Sequence, residues 1–360
     1  SVDFGRKVTA TISRNGDLIT NCWVEAMLPA LSSGGYVNSV GHALLKEVEL
    51  EIGGQRIDKH YSDWLEIWSE LTVPAEKRDG YKLMVGKRDV NPTEVTEDAQ
   101  KVYVPLQFFF NRNPGLALPL IALQYHEVKI NIQFGSLDEC TYGASGQTGE
   151  ATVAADSLKA SLYVDYVYLD TDERRRFAQM SHEMLIEQLQ FTGDESVNAG
   201  SNNKIRLNFN HPVKELIWVV KNGDDTDDSN PFSYGADGDT FFEGSDGLDA
   251  GTDKDTVENA KLLLNGHDRF SERDGSYFRL VQPYQHHTCV PKKNIYCYSF
   301  ALKPEEHQPS GTCNFSRIDN ATLSLKVNGS SGTTKLAKVY ATSYNVLRIM
   351  SGMGGLAYSN

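Results

Sequence analysis

The chain has 360 residues, of which 40% are hydrophobic and 10% aromatic, enough for packed cores and more than one typical domain of ~100–200 residues. A formal net charge of −13 argues against a nucleic-acid surface, because such affinity rests on Lys and Arg displacing counterions. Five cysteines (Cys22, Cys140, Cys289, Cys297 and Cys313) are odd in number and lack C-x-x-C spacing, which predicts a reducing compartment and thiols used as small core residues.

Taken in order, short β-rich runs alternate with turn clusters. "VTATIS" precedes Arg14-Asn15-Gly16-Asp17 and "LITNCWVEAML" follows it, and Asn-Gly between apolar runs predicts a hairpin. "EVELEIGGQRID" puts Val48, Leu50 and Ile52 on one face and Glu47, Glu49 and Glu51 on the other, then turns at Gly53-Gly54. "VYVPLQFFF" and "SLYVDYVYL" read as further strands. Helical pattern is confined to Ser62–Leu71 and Asp172–His182.

The stretch "GLALPLIALQYHEVKINIQF" begins like a membrane segment. Its apolar part, Leu116 to Leu123, is under half of the ~20 residues that a spanning helix needs. From His126 the pattern changes: Val128, Ile130, Ile132 and Phe134 alternate with polar residues, as in a half-buried strand. The piece reads as a buried corner feeding a strand. No other window approaches a membrane helix, and no basic-then-apolar secretory leader opens the sequence.

The second half echoes the first in order. "SRNGDLITNCWVEA" has a counterpart in "NFNHPVKELIWVVKNG", with Trp23 and Trp218 at matching places. "VELEIGGQRID" and the aromatic helix after it (Tyr61, Trp64, Trp68) match "KLLLNGHDRF" followed by Tyr277 and Phe278. "VYVPLQFFFNRNPG…HEVKINI" matches "IYCYSFALKPEEHQPSG…ATLSLKV". Many short strands with Gly and Pro turns, repeated, predict an all-β protein of two similar sandwiches with few short helices. The units run from 1 to 171 and from 184 to 360, joined by a helical linker at 172–183. The segment 222–256, rich in Asp and Gly and almost free of aliphatics, predicts a long exposed acidic loop.

No chemistry assembles from the residues. From Asp225 an EF-hand register fails, with Asn230 where Gly is needed and Ala236 where Glu is needed. His286 and His287 are adjacent rather than at metal spacing, which favours a structural or surface role. There is no G-x-S-x-G elbow, no H-E-x-x-H and no phosphate loop, and Gly352, Gly354 and Gly355 read as a tight turn. The sequons at Asn314, Asn320 and Asn328 are assigned no glycan, and Arg317, Asp319 and Asn320 read as a polar corner holding backbone. Catalytic, cofactor and metal residues are therefore none.

Five stretches then become recognisable: "GHALLKEVELEIGGQRIDKHY", "NPGLALPLIALQYHEVK", "IEQLQFTG", "SFALKPEEHQPSGTCNFSRIDNATLSL" and "NVLRIMSGMGGLAY". In order and across the whole chain, they resemble the major capsid proteins of the nucleocytoplasmic large DNA viruses, nearest those of algal (chlorella-type) viruses. The resemblance implies two tandem eight-stranded jelly rolls and a homotrimer of pseudo-hexagonal outline that tiles an icosahedral shell. It implies a virion protein assembled in host cytoplasm, with minor capsid and penton proteins as partners and the internal membrane met only indirectly. Family members carry an arm ahead of the first strand, whereas this sequence opens at Ser1. A lectin would call for a leader and paired cysteines, and a cupin enzyme for His ligands at metal spacing. The corner Pro114–Leu123, more apolar than one strand needs, is expected to bury against the helix of Trp64 and Trp68, worth several kcal/mol at ~25 cal/mol per Å2.

Overall fold

The structure is a computed structural model that describes residues 2–88, 97–143, 151–153, 157–222, 230–235, 255–329 and 332–358. The period-2 runs become strands of two stacked pairs of sheets. In the first sandwich one sheet has the order β1 (Lys7–Thr11), β6 (Val128–Phe134), β3 (Leu45–Ile52), β4 (Gln55–Tyr61). The facing sheet has the order β7 (Lys159–Val167), β2 (Leu18–Leu28), β5 (Gln100–Pro105). Val128, Ile130, Ile132 and Phe134 of β6 all point into the core. Asn131, on the other face, is also buried, because its amide donates to Glu51 at 2.9 Å and its oxygen accepts from Thr9 at 2.7 Å. At the β3–β4 turn Gly53 and Gly54 have φ of 57° and 85°, the positive pair that a two-residue hairpin requires.

The second sandwich repeats this plan strand for strand. Its sheets run β8 (His182–Asn198), β15 (Thr334–Met350), β10 (Pro212–Asn222), β13 (Tyr296–Ser299) and β9 (Asn202–Arg206), β14 (Ala321–Val327), β11 (Val257–Leu264), β12 (His267–Asp268). Thus β1-β6-β3-β4 maps onto β9-β14-β11-β12, and β7-β2-β5 maps onto β15-β10-β13. Even the short pairing of Leu118–Pro119 with β2 returns as Cys313–Asn314 on β10. The fold is a double jelly roll. Among the described residues, eight principal strands make the second sandwich and seven make the first, in which β8 has no counterpart beside β7.

Four local expectations need correction. The Asn15-Gly16 hairpin does not form: β1 pairs with β6 and β2 with β7, so the link crosses between sheets. Arg14 holds that link by donating to the carbonyls of Gln124 (2.9 Å) and His126 (3.1 Å). "QFFF" is not strand; β5 stops at Pro105, and Phe108, Phe109 and Phe110 fill the core at the helical turn Phe109–Arg112. Trp23 and Trp218 lie on opposite faces of their strands. Trp218 enters the core beside Phe278, whereas Trp23 points outward and stacks on Tyr163, the result of a one-residue offset in a period-2 element. In the polar corner it is Asn265 that holds backbone, accepting from the N–H groups of Asp319 (3.1 Å) and Asn320 (3.2 Å).

Helix α1 (Ser62–Thr72) lies where the aromatic pattern put it, and α3 (Thr171–Gln179) falls between the sandwiches. The Asp170 side chain caps α3, accepting from the N–H groups of Asp172 and Glu173, and β8 already begins at His182. Helix α2 (Ala75–Val85) was not expected from the pattern, since Val85 alone of its residues is buried and no apolar stripe marks it. Its termini do carry signals: Pro74 ahead of it and Gly86, at φ 71°, after it.

The corner packs differently from expectation. Leu118 pairs with Ile19 of β2, the turn Leu120–Ala122 lies against α3, and Leu123 reaches toward Ile52 and Gly354. Leu118 and Leu123 are fully buried, while Ile121 is half-buried. Leu116, Leu118 and Leu120 share one core with Trp64 and Trp68, and Arg112 lies 4.0 Å from the Trp68 ring.

Candidate functional site: the seam between the sandwiches

Helix α1 is buried on nearly every side, which brings three carboxylates, Asp63, Glu66 and Glu70, out of water. Such groups are tolerated only when paired. Asp63 meets Lys338 at 2.7 Å, Lys221 at 2.9 Å and the Tyr234 hydroxyl at 3.0 Å, all from the second sandwich. Burial pushes its carboxyl upward, but Lys221 and Lys338 outweigh that and hold it down at about 2. Glu66 accepts from Lys293 at 2.7 Å and meets Lys87 at 3.2 Å and His42 at 2.6 Å, while Lys87 also pairs with Glu70. Burial again opposes ionisation there, and Lys293, Lys87 and His42 keep Glu66 well below the ordinary carboxylate range.

Around this charged line lies apolar packing. Trp64 stacks on Trp68 at 5.5 Å and meets Tyr340 of β15 at 5.6 Å. Tyr340 stacks on Phe191 at 4.7 Å, and Phe191 meets Tyr61 edge-on at 4.9 Å. Ile217, Val219, Tyr340 and Ile349 of the second sandwich share one core with Trp64, Leu65 and Trp68 of the first. The two sandwiches are therefore welded rather than tethered.

The acidic segment takes part in the weld, which corrects its reading as wholly exposed. Most of the predicted loop 222–256 (223–229 and 236–254) lies outside the described residues. Within it, however, Asn230, Phe232, Ser233 and Tyr234 are buried. Phe232 and Tyr234 lie beneath the ammonium groups of Lys221 and Lys293, 5.6 to 5.8 Å from the ring centres, and the Tyr234 carbonyl accepts from Asn294 at 3.2 Å. Aromatic residues in a stretch rich in Asp and Gly, Phe232 and Tyr234 among them, were the signal available in the sequence.

Two further contacts bridge the halves. Lys214, 1% exposed, donates to Glu187 at 2.7 Å and to the Pro304 carbonyl at 2.6 Å, and Glu187 reaches Arg112 at 3.2 Å. At the far end the strand β16 (Met353–Leu356) folds back on β15 through Ser351 and Gly352, with φ of 54° and 81°. The Tyr125 N–H donates to the Gly352 carbonyl at 3.0 Å, and His126 Nδ1 lies 3.1 Å from the Gly354 nitrogen. A Cβ at Gly352 would come within 2.6 Å of the Tyr125 ring. Of the three glycines expected in a turn, Gly352 makes it, while Gly354 and Gly355 lie in β16 paired with Ile349 and Arg348; the turn clasps Tyr125-His126.

His286 and His287 are structural. His286 contacts the Leu302 carbonyl, and His287 sits between Glu215 (2.8 Å) and Glu305 (2.7 Å). Although burial disfavours its charge, Glu215 and Glu305 hold its pKa well above the usual range. All five cysteines are free, and burial raises the Cys22 thiol to about 12. Among the described residues no group of three His, Cys, Asp or Glu side chains is arranged to hold a metal, and no helix is long and apolar enough to cross a membrane. A cleft of about 640 Å3 opens along the seam, but the lysines lining it (Lys46, Lys221 and Lys338) are already paired with acids. The arrangement can hold two lobes at a fixed angle.

Known proteins share this architecture and its sequence. A family model described as "Major capsid protein N-terminus" matches residues 1–170, and one described as "Large eukaryotic DNA virus major capsid protein" matches 173–355. The chain is 54% identical to the major capsid protein of Pyramimonas orientalis virus, covering 99% of this chain and 87% of the relative. It is 46% identical to that of Paramecium bursaria Chlorella virus 1, covering 100% and 89%. The solved structure titled "PBCV-1 virus capsid, quasi-atomic model" superposes with a TM-score of 0.83 at 43% identity, covering 100% of this chain and 94% of that one. The Faustovirus major capsid protein, at 13% identity and a TM-score of 0.76, shares the fold. With both halves matched in sequence and in strand order, the chain belongs to the large eukaryotic DNA virus major capsid proteins, the non-enzymatic components that form the virion shell.

Proposed function

We propose that three copies of this chain form a pseudo-hexameric capsomer, and that such capsomers tile an icosahedral shell. The observation that carries the reading is the strand-for-strand repeat of two sandwiches welded through α1. Three copies around an axis then present six similar lobes, and a unit of near-hexagonal outline tiles a surface. In this reading the lobes are 1–171 and 184–360, with 172–183 as the joint, and the segment 222–256 serves the variable surface apart from its buried anchor at Asn230 and Phe232–Tyr234. No residue is assigned to catalysis, cofactor or metal. Neighbouring capsomers, minor capsid proteins and penton proteins are its partners, the internal membrane is met only indirectly, and assembly takes place in the host cytoplasm.

The trimer interface belongs in the obligate class, burying well over ~2,000 Å2. Light scattering across micromolar concentrations tests it. A particle of three times the 40.0 kDa chain mass supports the trimer, and a species that stays at 40.0 kDa overturns it.

A further inference from the structure

We propose that the helical segment 277–286 of one chain docks on the outer face of the β7-β2-β5 sheet of a second copy, so that this contact repeats between chains the seam found within each. The proposal rests on the trimer reading above and names its interface.

The observation is an imbalance inside a single chain. In the second sandwich, Ile217 of β10 pairs with Tyr340 of β15 on the face turned away from its own core. That face is covered by α1 of the first sandwich, and Tyr340 is 1% exposed. The corresponding strands of the first sandwich, β2 and β7, carry Trp23 paired with Tyr163 on their outward face. These rings stack at 5.7 Å and 7°, yet Tyr163 remains 45% and Met27 37% exposed. The first sandwich thus has the seat without the helix.

The second sandwich has the helix without the seat. Between β4 and β5 the chain forms α1; at the same place, between β12 and β13, it forms the π-turn Tyr277–Val281 running into the helix Gln282–His286. Phe278, Gln282 and Pro283 face inward and are buried. Leu280, Val281 and Tyr284 face outward at 42%, 39% and 80% exposure, and Leu302, whose carbonyl contacts His286, adds 73%. Large apolar side chains grouped on a surface mark an interaction face, because burying them removes apolar area from water at ~25 cal/mol per Å2. A head-to-tail contact between identical chains closes into a ring when the rotation permits. On the seat, Glu25 and Lys101 pair with each other at 3.1 Å, and Asp165, two residues from Tyr163 on the same face, accepts from the Asn21 amide at 3.2 Å.

The test uses the full chain. Leu280→Asp with Tyr284→Asp, and separately Tyr163→Asp, should each raise the trimer dissociation constant at least tenfold in analytical ultracentrifugation, while Leu83→Asp, on a residue 81% exposed on α2, should not. Should an aspartate variant fail to fold, a second measurement decides. Tyr163→Cys combined with Tyr284→Cys, treated with a short bifunctional maleimide, should give covalent dimers and trimers that neither single variant gives. Trimers that form with unchanged stability and no such cross-link overturn this interface and leave the trimer standing. A wild-type chain that stays monomeric overturns both.

Discussion

Asp63 and Lys338 stand 275 residues apart in the chain and 2.7 Å apart in space, joining the helix of the first sandwich to the last long strand of the second. Lys221 completes the site from the neighbouring strand, 2.9 Å from the other carboxylate oxygen. Removing both lysines leaves a buried, unpaired carboxylate. Lys221→Ala with Lys338→Ala should therefore cost ~3–5 kcal/mol in urea denaturation at neutral pH and fixed protein concentration, and adding Asp63→Asn should recover part of that loss.

The same site sets an acid limit. The Asp63 carboxyl is held at about 2 against an ordinary 3.8, so its contribution is complete above 3.8 and is lost as pH falls toward 2. Glu66, also depressed, acts in the same direction. For Asp63 the loss amounts to about 2 kcal/mol. Denaturation curves measured between pH 5 and pH 2 should fall more steeply for the wild type than for Asp63→Asn, although that variant starts from a lower stability at neutral pH. Parallel curves would count against the pairing.

At the corner, Leu118→Ala should cost ~2–5 kcal/mol, because the residue is fully buried between β2 and the core. Ile121→Ala should cost less, since its side chain is only partly buried. Glu127→Ala, at an exposed position, should stay within ~0.5 kcal/mol. Chemical denaturation of the three variants gives the ranking.

Phe232→Ala should cost ~3–5 kcal/mol and Tyr234→Phe ~1–3 kcal/mol, the second by leaving the Asp63 contact unmade. Deleting 224–249 removes Phe232 and Tyr234 together with the rest of the segment. A deletion of that length should therefore lower the melting temperature, where an acidic loop without an anchor could be trimmed freely. An unchanged melting temperature would show that the aromatic anchor contributes nothing.

Since all five cysteines are free, adding a reductant should leave the melting temperature unchanged. Cys22, Cys140 and Cys297 are buried with thiols raised by burial, so they should react with a thiol reagent only after denaturation. Rapid native labelling at any of the three would show that its site opens.

The strands were legible in the sequence because alternation is local: β6 runs from Val128 to Phe134 as its side chains dictate, and Gly53-Gly54 could only turn. The order of the repeat was legible too, since two copies of one pattern need no contact map. Pairing was not. Asn15-Gly16 has the composition of a hairpin, yet β1 found a better partner in β6, on the far side of the core, and only the closed sandwich settles that competition. Trp23 and Trp218 look equivalent as letters, and a shift of one residue sends one ring outward and the other inward. The seam was the least visible feature. Nothing in the sequence near Asp63 names Lys221 or Lys338, and Phe232 and Tyr234 lie in a stretch whose composition reads as solvent-exposed. Local pattern determined which segments are strands and which faces are apolar. Which apolar face meets which, and which buried charges neutralise each other, was decided when two sandwiches closed on one helix, because burial and long-range Coulomb pairing act on distances in space that sequence separation does not encode.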